Sequence, residues 1–171
     1  MATFLRRVIG AAKLDPEVYE EVEADLGAMR QAMTVVLLSS MAAGLGAFGA
    51  MGLRGLLSGV VAAFLGWFLW AWITFFFGTR LLPGAETNAD WGQLLRTTGF
   101  ATAPGILGVL GLARPLTGFI FVFLTVWVLI AFVVAVRQAL DYKSTIRAFA
   151  VCLAGWVIYA GMIVVLTWPH V

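Results

Sequence analysis

Apolar residues in this chain fall in long unbroken runs, and polar residues collect between them. A bilayer core about 30 Å thick takes about 20 residues of α-helix to cross, so run length is decisive. Five stretches meet or approach that length: 32–51, 56–77, 97–112, 116–136 and 146–166. Apart from Arg147 at the start of the last, none contains Lys, Arg, Asp or Glu. The third is shorter and holds Pro104, which removes a backbone donor and predicts a kink. Continuous rather than alternating apolar runs favour helices over barrel strands. The pattern predicts an all-α polytopic membrane protein: a five-transmembrane-helix bundle over 32–171 behind a short amphipathic cytoplasmic segment at 1–31. Connections at 52–55 and 113–115 are short enough to make hairpins of helices one and two, and of three and four.

Composition agrees with the bilayer and removes much chemistry. Of 171 residues, 62% are hydrophobic and only 12% charged, and the mean hydropathy is +0.98, far from a water-soluble domain. The single Cys152 and single His170 supply neither a tetrahedral zinc site, an iron–sulfur cluster nor paired haem ligands. No metal and no cofactor are expected, and no internal disulfide. Gly44-Leu45-Gly46-Ala47-Phe48-Gly49 matches the dinucleotide-binding glycine pattern, but it sits inside an apolar run without the acid such a site needs. Ser58 lies in a span while His170 lies at the far end, so no hydrolytic dyad is expected and the chain reads as a non-enzyme.

The net charge of +2 matters less than its distribution. With five spans, Arg6, Arg7, Lys13, Arg30, Arg80, Arg96, Arg137, Lys143 and Arg147 share one side, and Arg54 and Arg114 the other. That bias predicts a cytoplasmic N-terminus and an extracytoplasmic C-terminus. Lys13, Asp15 and Glu17 interrupt any signal-peptide core, so residues 1–31 are expected to be retained.

Within that segment, Phe4, Leu5, Val8, Ile9 and Ala12 share a helical face flanked by Arg6, Arg7 and Lys13. The stripe suits either the headgroup level of a membrane or packing on the protein's own loops, and the two are compatible. Six of the nine acidic residues then fall within 15–25. Asp15 is a plausible N-cap and Pro16 a first helical residue. The acids read as a solvated face or as a surface for a basic partner, with Asp15, Glu17, Tyr19, Glu20, Glu21 and Glu23 the candidate partner-binding residues. In the spans, Ala42, Gly46 and Ala50 recur every four residues, as do Thr97, Ala101 and Gly105, with Gly108 and Gly111 beyond. Ala42, Gly46, Ala50, Ala101, Gly105 and Gly108 are the candidate helix-packing positions. Thr87 with Asp90 three residues later resembles a capping box.

Taken together, the segment Leu14-Asp15-Pro16-Glu17-Val18-Tyr19-Glu20-Glu21-Val22-Glu23-Ala24-Asp25, the Ala101-Thr102-Ala103-Pro104-Gly105 stretch and Tyr142-Lys143-Ser144-Thr145-Ile146-Arg147-Ala148 resemble prokaryotic members of the Yip domain family. That family is named for interaction with Ypt/Rab-type GTPases. The resemblance implies a five-helix membrane protein with membrane-organising or partner-binding roles. The Asp-Leu-x-Gly-Pro run of the eukaryotic branch is absent here, so no GTPase-binding residue is carried over. The expected function is a non-catalytic membrane scaffold or accessory subunit. Its alternative is a small carrier or channel for an apolar or lipid-like substrate along helix three. Expected partners are membrane lipids and another membrane or cytoplasmic protein, with no nucleic acid; homo-oligomerisation stays open.

Overall fold

A computed structural model describes the chain except for residues 1, 47, 85, 86, 88, 113–115 and 168–171. Among the described residues the structure is helical and contains no strand. The order is α1 Ala2–Ala12, α2 Pro16–Ala24, α3 Ala28–Gly46, α4 Phe48–Phe76 continuing into a π-turn at Phe77–Leu81, α5 Trp91–Ala101, a 3-10 helix at Ala103–Leu112, α6 Thr117–Ala139 and α7 Thr145–Thr167.

Three described helices are long and apolar enough to cross a bilayer, over Ala28–Leu45, Gly59–Leu81 and Thr117–Ala139. A shorter apolar stretch, Thr145–Ile158, lies in α7. The expected third span is not one helix. It breaks at Thr102, whose N–H bonds the Gly99 carbonyl at 3.3 Å, and resumes as 3-10 helix through Pro104. Proline at 104 cannot donate to the preceding turn, so the helix tightens there instead of continuing.

A second correction concerns the first hairpin. Residues 52–55 do not form a turn; they lie inside α4, and α3 already ends at Gly46. Interior glycines cost only about 1 kcal/mol each relative to alanine, and an apolar segment gains every backbone hydrogen bond by staying helical. Arg54 therefore sits within a 29-residue helix rather than in a loop.

The third correction is the cap of α5. Asp90, not Thr87, is the N-cap: its carboxylate accepts from Gln93 N at 2.9 Å, and Gln93 Oε1 accepts from Asp90 N at 2.6 Å. Thr87 Oγ instead accepts from Gly84 N and donates to the Leu140 carbonyl, tying the loop to the end of α6.

The 3-10 helix lies along α3, and the small residues make that contact. Ala42 and Ala101 are buried, and a side chain at Gly105 would run into Ser39. One at Gly108 would stand 3.3 Å from the Ala43 backbone. The side chains at 46 and 50 lie outside the described residues. Elsewhere Trp67 Nε1 donates to Thr98 Oγ1 at 3.1 Å, joining α4 to α5.

Gly105→Leu is expected to destabilise the detergent-solubilised protein by about 1–3 kcal/mol through overpacking. Gly59→Ala, where nothing lies within 4 Å, should be neutral or mildly stabilising. Thermal unfolding of both variants checks the contrast.

Candidate functional site

The acids of residues 15–25 belong to a helix that is docked, not free. Asp15 caps α2, accepting from Glu17 N at 3.1 Å, with Pro16 in the first turn. The turn before it passes through Leu14 at φ 65°, so α1 and α2 fold back as a hairpin. Gly10 permits the approach: a Cβ there would stand 2.5 Å from Val18 Cγ2. Val18, Tyr19 and Val22 are buried in one cluster with Ala32 and Val35 of α3, Phe100 of α5 and Ala131 of α6. Trp127 of α6 donates to the Ala12 carbonyl at 2.8 Å, which places the hairpin beside α6 and not beyond its end.

One buried cation fixes this arrangement. Arg96 is only 4% exposed and has no carboxylate partner within ion-pair distance among the described residues. Its Nε donates to the carbonyls of Val22 and Glu23, each at 3.1 Å, and its Nη2 also donates to Glu23 O. Those carbonyls are among the last of α2, which lack partners within their own helix and carry the negative end of its dipole. A cation that cannot reach water is satisfied by a helix end that needs donors.

The outer side of the hairpin is held by charge. Arg7, also buried, donates from Nε to Glu21 at 2.9 Å and pairs through Nη1 with Asp25 at 2.8 Å; Arg6 also pairs with Glu21. Burial opposes the Arg7 charge, but bonding to Asp25 and Glu21 outweighs it and holds the pKa above its ordinary value. The Arg6 hydrogen bond keeps Glu21 below the usual carboxylate range, and Arg7 does the same for Asp25. The Arg7 head thus faces the acidic helix. The apolar stripe of α1 divides likewise: Phe4, Val8 and Ala12 pack on the core, while Leu5 and Ile9 stay exposed.

The candidate partner-binding residues therefore separate. Tyr19 is fully buried, and its hydroxyl donates to the Ala11 carbonyl at 3.0 Å. Glu21 is engaged by both arginines, and Asp15 is engaged as a cap. Glu17 is exposed, and so is Glu20, which accepts from Gln138 Nε2 at 2.7 Å. Glu23 is half-buried; desolvation, reinforced by the charge of Asp141, pushes its carboxyl up to about 7. Sequence reasoning missed Arg96 and Gln138, because their partners lie far away along the chain. The available signal was a basic residue at the very mouth of an apolar span.

Two cavities flank this assembly. One, about 420 Å³, is polar and opens where α2, α5, α6 and residues 141–143 meet; its walls include Glu20, Glu23, Arg137, Asp141 and Lys143. The other, about 360 Å³, is apolar and runs between α3, the 3-10 helix, α6 and α7, past Gly105, Gly108, Phe121, Val128 and Trp156.

Across this whole arrangement, the family model for the Yip1 domain matches residues 14–166. The chain belongs to the Yip1 domain family. Its matched region begins at the α1–α2 turn, so the docked acidic helix is part of the Yip1 domain. No curated protein and no solved structure matches this Yip1 chain.

Arg96→Met is expected to lower stability by about 3 kcal/mol or more, because it leaves helix-end carbonyls buried without donors. Thermal unfolding with circular dichroism measures it. The Glu23 carboxyl titrates near 4.5 when unfolded and near 7 when folded, so the folded state holds an extra proton between those values. Its contribution to stability accordingly falls as pH rises from about 4.5 to about 7 and is level above. Glu23→Gln should remove that fall in a series of melting temperatures against pH.

Proposed function

We propose that this Yip1-family membrane protein is a non-catalytic scaffold or accessory subunit that presents a rigid acidic surface to a partner protein. The observation that carries the reading is the docking of α2. Arg96 and Arg7 hold the helix to the bundle, so its outward carboxylates Glu17 and Glu20 stand in a fixed array. A preorganised surface pays less ordering entropy on binding than a mobile tail. We take α3, α4, the α5 and 3-10 pair, α6 and α7 as five passages through the membrane. The excess of Lys and Arg around the α1–α2 end supports a cytoplasmic N-terminus and an extracytoplasmic C-terminus.

A second reading, a carrier for an apolar or lipid-like substrate, draws on the apolar cavity beside the 3-10 helix. The Thr125 hydroxyl on its wall donates to the Phe121 carbonyl at 2.8 Å, leaving a hydrocarbon-like lining.

Gentle solubilisation followed by affinity isolation and native mass determination separates the two. The scaffold reading expects a stoichiometric second protein that is lost on Glu17→Lys with Glu20→Lys, while the fold persists. Glu21 is unsuitable for that test, since its reversal would break the α1–α2 hairpin. A chain that elutes without a partner and holds an apolar ligand, displaced by Val128→Trp, contradicts the scaffold and supports the carrier.

A further inference from the structure

We propose that the polar cleft between α2, α5, α6 and residues 141–143 binds a zwitterionic aminoalkyl phosphate, the chemistry of a phosphoethanolamine headgroup. This goes beyond the scaffold reading and does not rest on it. The cleft, about 420 Å³, carries both signs of charge on its walls: Glu20, Glu23 and Asp141 against Arg137 and Lys143. Opposite charges sharing a cleft ordinarily pair. Here, among the described residues, Arg137 uses only its Nε, donating to the Tyr142 carbonyl at 3.2 Å, and no ion pair joins it to a carboxylate. Its Nη1 and Nη2 keep their donors. Among the described residues nothing hydrogen-bonds the carboxylate of half-buried Glu23; its main-chain carbonyl is taken by Arg96. Arg137 and Glu23 thus line one cleft as poles of opposite sign that do not neutralise each other.

The ligand class follows from that separation. A purely anionic ligand would meet the carboxylates of Glu23 and Asp141, and a purely cationic one would meet Arg137. A molecule bearing both satisfies each pole: phosphate oxygens accept from the planar Arg137 fork, and a primary ammonium donates to Glu23 and Asp141. Position favours the headgroup as the source. Arg137 and Gln138 are in the last turn of α6, at the very end of its apolar span, where headgroups lie. Asp141, at φ 51°, forms the tight turn that returns the chain over the cleft.

The test uses the full-length protein, purified in mild detergent and delipidated, with native mass spectrometry of retained phosphatidylethanolamine, phosphatidylcholine and phosphatidylglycerol. Phosphatidylethanolamine should be retained preferentially, since choline lacks N–H donors and glycerol lacks a cation. Arg137→Gln and Glu23→Gln should each weaken retention about tenfold, the effect of losing one charge-assisted hydrogen bond. Arg80→Gln, outside the cleft, should change nothing. Circular dichroism confirms that the variants fold. A parallel titration with O-phosphoethanolamine separates the sources: binding of the free compound at comparable affinity assigns the cleft to a soluble zwitterion, and binding of the lipid alone assigns it to the membrane. Equal retention of the three lipids with no binding of the free compound overturns the proposal, as does retention unchanged in both folded variants.

Discussion

The bond between Arg96 and the last carbonyls of α2 is the constraint on which the charged end of the molecule depends. A guanidinium at the mouth of an apolar span has lost much of its access to water, and desolvated charge is costly unless hydrogen-bonded. The final turn of a helix is short of donors by the geometry of its own backbone. Each solves the other's deficit. Once α2 is placed by that contact, Val18, Tyr19 and Val22 enter the core, Glu21 and Asp25 come within reach of Arg7, and Glu20 meets Gln138. A segment that by composition would be solvated becomes a wall of the bundle.

Much of the framework was legible because a bilayer imposes simple rules. Apolar run length marked α3, α4, α6 and α7, and Asp15-Pro16 marked the start of α2. Legibility ended where local cues were ambiguous or long-range contacts decided. Gly52-Leu53-Arg54-Gly55 reads as a turn by residue type, yet helix is the cheaper state for a segment whose backbone lacks water to bond. The capping box fell to Asp90 and Gln93 because Thr87 was drawn to Leu140, 53 residues away. For the candidate site, the acidic residues were visible in the sequence but their fates were not. Tyr19 is buried and Glu21 neutralised through arginines that precede it by 15 and 14 positions, while Arg96 acts across 73. No window of the sequence contains these pairs.

The two cavities divide along the same lines. Small residues on α3 and the 3-10 helix bring those elements together and leave an apolar groove toward α6 and α7. The polar cleft arises where docked α2 meets the loop after α6. Both are consequences of packing, and both are suited to membrane components: hydrocarbon in one, a charged headgroup in the other. For a Yip1 domain this joins the acidic helix and both cavities into one packed unit.

The most direct measurement of that unity is hydrogen–deuterium exchange of residues 16–24 in the full-length protein, reconstituted in lipid nanodiscs. If α2 is anchored as described, its amides exchange as slowly as those of α5, against which it packs. Exchange at the rate of an unstructured tail, with α5 still protected, would contradict the account.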